Sequence, residues 1–245
     1  MSAVTILHTD RALKGIGDFS GPPPNIHFLR VVEIVKAALP LFASSALSSG
    51  IENEKGLNSR LARFINNVGD DRQMPYTAQI ESMEDEARGD SPATDIGIHL
   101  KVDDIAIDPP KITVFEGKRL SSALPEKRRR EYVIGHDERG KHVACGGMER
   151  FKRAIHGGKF CHAGMIGYLQ DGTPENWRDK INAWISDLSS QPFDPAWSER
   201  EHLTPQIPDE GVAECSSVVH RAHTDLHLTH LWVDLLQKNV ASTDR

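Results

Sequence analysis

The chain predicts an α/β domain, on three observations. Apolar residues recur at helical spacing over 26–39, 51–67 and 173–189, and shorter runs of strand character lie between and after them. A length of 245 residues suffices to bury one substantial core. Residues 1–24, closing on Gly21-Pro22-Pro23-Pro24, lack periodicity and are expected to form an extended lead-in, with 25–245 as one domain.

The elements follow in order. Phe28, Val31, Val32, Ile34, Val35, Ala38 and Leu39 predict an N-terminal helix over 26–39, stopped near Pro40. A second helix over 51–67 carries Ile51, Leu57, Leu61, Phe64 and Ile65 on one stripe, with Glu52 and Glu54 in its first turn, where carboxylates suit the helix dipole. Tyr76–Glu84 reads as a short strand, followed by an acidic, Gly/Ser/Pro-rich loop through Pro92. Asp95–Val102 and Lys111–Lys118 are expected as a hairpin joined across Asp103–Pro110. Met148, Phe151 and Ile155 have helical spacing, and His162–Leu169 reads as a buried strand. Thr173-Pro174-Glu175 is a helix start, and Trp177, Ile181, Trp184, Ile185 and Leu188 give that helix an apolar stripe to Ser189. Residues 191–211 read as a surface loop, and 225–236 alternate as a closing strand.

Composition narrows the function classes. The longest apolar-rich piece, 31–47, contains Glu33, Lys36 and Pro40, so no membrane span is expected, and the N-terminus shows no secretion signal. Cys145, Cys161 and Cys215 are too few for a disulfide framework or a Cys-rich zinc site, and a reducing cytoplasm is the expected compartment. The net charge of −6 is uneven: residues 111–160 carry thirteen Lys/Arg against six Asp/Glu, a local +7 that leaves −13 elsewhere. Such a basic stretch suits a phosphate backbone.

Just before and inside that stretch lie Asp95 and Glu116-Gly117-Lys118, expected on neighbouring strands. Carboxylates suit a hard cation such as Mg²⁺, and an adjacent ammonium can hold an attacking water or offset charge on a phosphate. Taken singly, Asp95 fits a turn before a strand, and Glu116 with Lys118 fits an exposed same-face pair. Val114 and Phe115 weigh against that, because they make the strand a buried one, where two charges are costly unless they serve a site.

The order helix with an acid, strand, strand with Asp95, strand with Glu116-Gly117-Lys118, then helix resembles the PD-(D/E)XK nuclease superfamily over roughly 50–170. One departure is Thr94, where the pattern places proline. The resemblance implies a restriction-endonuclease-like core, a central mixed sheet flanked by helices, here with an N-terminal helical extension and a C-terminal helix, loop and closing strand over 171–245. It implies that Asp95 and Glu116 bind Mg²⁺, with Mn²⁺ substituting, that the Gly117 carbonyl adds a ligand, and that Lys118 assists the hydrolytic water. Glu52, ahead of Glu54, is the expected additional acid from the helix, and Glu81 a further candidate. DNA is the implied substrate, a defence or restriction complex with a helicase or ATPase partner the implied setting, and a homodimer a further expectation.

The basic residues Arg119, Lys127, Arg128, Arg129, Arg130, Arg150, Lys152 and Arg153 are candidates for a phosphate clamp, against the plainer reading of a solvated loop. Arg150 and His156 also fit the loose Arg-x(4–6)-His pattern of metal-independent HEPN ribonucleases. His220, His223, His227 and His230 imitate paired zinc ligands, but strand alternation sends His227 and His230 to opposite faces, so structural roles are expected. Trp177, Trp184 and Trp197 are read as core, with a partner surface as the alternative. Neither a Gly-x-Ser-x-Gly nor a phosphate-loop motif is present. The remaining alternative is a non-catalytic binding scaffold of the same fold.

Overall fold

A computed structural model describes residues 26–102, 108–209 and 211–236; the lead-in at 1–24 and residues 103–107 of the hairpin connection lie outside these. Helices α1 (Ile26–Ser48) and α2 (Glu54–Asp71) precede strands β1 (Tyr76–Met83), β2 (Ala93–Leu100) and β3 (Lys111–Leu120). A small hairpin, β4 (His136–Glu138) and β5 (Lys141–Val143), leads into the short helix α3 (Gly147–Lys152). Then come β6 (His162–Leu169), α4 (Pro174–Ser189), β7 (Ile207–Asp209), β8 (Val212–Val219) and β9 (Leu226–Asp234).

Seven strands form a mixed sheet in the order β1-β2-β3-β6-β9-β8-β7, with β6 parallel to both β3 and β9 and the remaining pairs antiparallel. One face packs on α1 and α2 through Val35, Leu39, Phe42, Leu57, Leu61, Ile96, Phe115, Tyr168 and Leu231. The other packs on α3 and α4 through Val114, Met148, Phe151, Met165, Trp177, Ile181, Ile185 and Trp232. Burial at alternate positions of β3 thus serves two cores, Phe115 on one side and Val114 on the other. Among the described residues no helix is long and apolar enough to cross a membrane.

Two expectations are corrected. α1 does not stop at Pro40 but runs through it to Ser48. An internal proline costs about 3 kcal/mol, but Phe42, Ala43 and Ala46 extend the buried stripe beyond it, and their burial outweighs that cost. The expected loop 191–211 contains β7, and β8 follows it unannounced: Glu214, Ser216 and Ser217 dilute its apolar signal, and pairing with β9 makes it a strand. By contrast α4 begins where Thr173 caps Asn176 N, with Pro174 as its first residue.

β9 settles the histidines. His227 stacks on His162, while His230 is fully buried between Tyr132 Oη (2.8 Å) and Ser217 Oγ (2.9 Å). Trp177 and Trp197 are buried as core residues. Burial pushes the His230 pKa from 6.5 down to about 3. The unfolded chain therefore binds a proton that the folded chain refuses between those values, and stability is lost as pH falls through that window. Acid melts should show about 2 kcal/mol lost between pH 6.5 and 5 from this group, and His230→Gln should remove that component of the slope.

Candidate active site

The centre of the site is the buried middle of β3. Glu116 is 0 % exposed and Lys118 only 5 %, which rules out an exposed same-face pair. The β2–β3 register, Ile96 beside Phe115, brings Asp95 alongside Glu116, and an Asp95 carboxylate oxygen accepts from Gly117 N at 2.8 Å. The Lys118 ammonium lies 3.0 Å from Glu116 Oε1, 2.9 Å from Glu54 Oε1 and 3.9 Å from Asp95 Oδ2. Three acids from α2, β2 and β3 therefore surround one lysine.

The helix acid is Glu54, and the choice of Glu52 is corrected. Asn53 caps α2 by accepting from Gly56 N at 2.8 Å, so the helix begins at Glu54 and leaves Glu52 before the cap. The Glu52 carbonyl accepts from Arg119 Nη1 and Gln170 Nε2, while its residue is exposed. Glu81 is corrected as well. It has φ +50°, the β1–β2 register passes from Ile80 to Ser82 without it, and its exposed carboxylate pairs with Lys55.

Two residues read as a rival ribonuclease pair converge on the same acid. Arg150 Nη1 donates to Glu116 Oε1 at 3.0 Å, and His156 Nδ1 lies 3.0 Å from Glu116 Oε2. His156 is 1 % exposed, held in a turn whose carbonyls accept from Arg221: Phe151 O at 2.7 Å and Gly157 O at 3.1 Å. Sequence reasoning missed Arg221, and no local pattern marks it.

The electrostatics follow from this packing. Burial alone would raise the Glu116 pKa, but Lys118, His156 and Arg150 outweigh it and hold the carboxyl well below the usual range. Burial likewise opposes charge on Lys118, and Glu116, Glu54 and Asp95 reverse that, raising its pKa. Asp95 is the exception: burial and the neighbouring Glu116 charge push it from 3.8 up to about 6, against the lowering effect of Lys118.

The basic stretch is largely spent inside the fold. Lys152 is buried, 2.6 Å from Glu201 Oε1 and 3.1 Å from His220 O, so it is not available as a phosphate contact. Arg153 binds Glu149 and the Asp194 carbonyl, Arg130 pairs with Asp187, and Arg128 pairs with Glu131. Lys127 and Arg129 are exposed. The local charge sum overstates the clamp because it omits acids from elsewhere in the sequence, Glu201 for Lys152 and Asp187 for Arg130.

Asp95 and Glu116 are the pair suited to a hard cation, which commonly takes one or two protein carboxylates and completes its shell with water and phosphate oxygens. The three acids around Lys118 do not form a tight cage. Among the described residues, the group with three potential ligand atoms all within 4.8 Å is Glu131, His136 and Cys145. A cavity of about 610 Å³ lies beyond the end of β3, lined by Glu52, Arg119, Ser121, Leu124 and Gln170, and none of Asp95, Glu116 and Lys118 lines it.

Gly117 tightens the site on its other face. A Cβ there would overlap Asn58 Oδ1 of α2 and lie 3.1 Å from the Tyr168 ring, and that Oδ1 accepts from Tyr168 Oη at 2.7 Å. Gly117→Ala is expected to cost roughly 1–3 kcal/mol through overpacking, read as a lowered midpoint in urea. Comparison of the chain with protein-family models, with curated proteins and with solved structures finds no match in any of the three.

Proposed function

We propose that this protein is a Mg²⁺-dependent nuclease that hydrolyses phosphodiester bonds of DNA on a restriction-endonuclease-like core. The observation that carries the reading is the burial of Glu116 and Lys118 side by side in β3, with Asp95 on the adjacent strand and Glu54 at the start of the preceding helix. Charges so placed are expensive to desolvate, and unlike the one-to-one Lys152–Glu201 pair, three acids here face Lys118 and Arg150, a surplus of negative charge that a cation would offset. The element order α2-β1-β2-β3, followed after the small β4–β5 hairpin by α3 and β6, supports the proposed core.

Asp95 and Glu116 would hold the cation, with Glu54 close by and the Gly117 carbonyl as the further ligand the resemblance implies. A bound divalent ion supplies Lewis-acid activation of water and neutralises charge at the phosphate. The chain's own groups do the rest. Lys118, released from part of its acid shell, donates to the attacking water or to a non-bridging oxygen. His156 and Arg150 hold the Glu116 carboxylate in one orientation, and Arg150, partly exposed, offers its remaining donors to the substrate. DNA rather than RNA, and a motor partner, rest on the resemblance alone.

The test is incubation of supercoiled plasmid DNA and of RNA with Mg²⁺, Mn²⁺ or EDTA. The proposal expects plasmid cleavage with either metal and none in EDTA. Cleavage of RNA that persists in EDTA and disappears in His156→Asn would instead favour the metal-independent ribonuclease. Because Asp95 must lose its proton to bind a cation, activity at limiting Mg²⁺ should rise by up to about tenfold per pH unit below pH 6 and level off above it.

A further inference from the structure

We propose that Glu131, His136 and Cys145 form a second metal site, suited to zinc and separate from the carboxylate cluster. The proposal goes beyond the nuclease reading and does not depend on it. One ligand atom from each of the three residues lies within 4.8 Å of the others. Cys145 Sγ and His136 Nδ1 are 3.4 Å apart. With Zn–S near 2.3 Å and Zn–N near 2.0–2.1 Å, a tetrahedral centre separates its sulfur and nitrogen by about 3.6 Å, so this pair already has the spacing of two zinc ligands. One sulfur, one nitrogen and one carboxylate oxygen suit zinc rather than Mg²⁺.

The surroundings are those of a built site. Arg128 Nε donates to Glu131 Oε1 at 2.6 Å, fixing the carboxylate while leaving Oε2 for a ligand bond, the kind of outer contact that orients metal ligands. The chain crosses itself here: Gly147 N donates to Glu131 O (2.8 Å) and Glu149 N to Val133 O (2.9 Å). A Cβ at Gly135 would overlap the Val143 carbonyl and one at Gly146 the Ile134 backbone, so the two passes approach as closely as glycine permits. The β4–β5 hairpin between them brings His136 to Cys145. Both residues are half-buried, which leaves an entry path and room for water as the fourth ligand.

Binding converts the Cys145 thiol to a thiolate and releases its proton to solvent. The ion would fasten the loop that leads into α3, which carries Arg150. Arg150 Nε donates to Ala144 O and Nη1 to Glu116, so the loop and the buried acid meet on one side chain.

The test uses the whole chain and zinc alone. Metal-stripped protein is titrated with Zn²⁺ while alkylation of its thiols is followed by mass spectrometry, and melting temperature is read in parallel. The proposal expects a single zinc per chain that protects Cys145 from alkylation, with exposed Cys161 labelled regardless, and a melting temperature raised by zinc. Cys145→Ser and His136→Asn should each lose that zinc, Arg128→Gln should bind it about ten- to a hundredfold more weakly, and Cys161→Ser and Glu116→Gln should bind it normally. Equal labelling of Cys145 with and without zinc in the wild-type chain would overturn the proposal even if the variants fail to fold. So would zinc binding that survives Cys145→Ser, or that is lost in Glu116→Gln with Cys145→Ser unaffected.

Discussion

Replacing Lys118 with methionine is expected to reduce Mg²⁺-dependent cleavage by on the order of a hundredfold or more, the loss typical when a positioned transition-state donor is removed. The same change should lower stability, because the buried Glu116 loses one of three cationic or hydrogen-bonding partners. Removing one member of a buried pair typically costs about 3–5 kcal/mol, and the retained Arg150 and His156 place this case at the lower end. The two effects separate. Under conditions where Lys118→Met is fully folded by circular dichroism, the loss of cleavage should persist, whereas a purely structural lysine would give back activity in proportion to folded protein. Lys118→Arg keeps the charge but not the compact ammonium geometry, and should restore stability more than activity.

Lys152→Met is expected to have the opposite profile: a large stability cost with little effect on cleavage by the folded protein. Lys152 and Glu201 are both buried, and Glu201 also accepts from Ser198 N and His220 N, so losing the ammonium leaves an uncompensated carboxylate in the interior. A cost of about 3–5 kcal/mol corresponds to a melting temperature lower by roughly 10 °C for a chain of this size. Adding Glu201→Gln, which removes the orphan charge and keeps an acceptor, should recover part of that loss in a double-mutant cycle. DNA affinity of the folded Lys152→Met protein should be unchanged, and a fall in affinity with stability preserved would return Lys152 to the phosphate-binding surface.

The contrast between these two lysines shows what a sequence can and cannot disclose. Lys118 sits two residues from Glu116 on one strand, so their shared face follows from strand periodicity, and Val114 and Phe115 mark the strand as buried. Lys152 meets Glu201 across 49 residues, a pairing no local pattern encodes. The same distinction runs through the fold. Thr173-Pro174 fixes the start of α4 by local chemistry, whereas the run of α1 through Pro40 is decided by what Phe42 and Ala46 bury against. Glu54 lies between these cases: Asn53 as a capping residue marks a first turn that begins at Glu54 and leaves Glu52 outside the helix. Arg150 and His156 were visible as a pair, but their common partner, Glu116, lies more than thirty residues away. Glu131, His136 and Cys145 come from a loop, a two-stranded hairpin and the approach to α3, and the hairpin together with the chain crossing at Gly135 and Gly146 unites them.

Glu116 is the residue on which the proposed chemistry depends. Glu116→Gln keeps the size of the side chain and one acceptor oxygen, for either Arg150 or His156, while removing the charge that a cation requires. Plasmid cleavage in Mg²⁺ by wild type and Glu116→Gln, each verified as folded and compared at equal concentration, is therefore the most direct measurement. A metal-dependent nuclease built on Glu116 should cleave as wild type, stop in EDTA and be inactive as Glu116→Gln. Wild-type-level cleavage by folded Glu116→Gln would rule that role out.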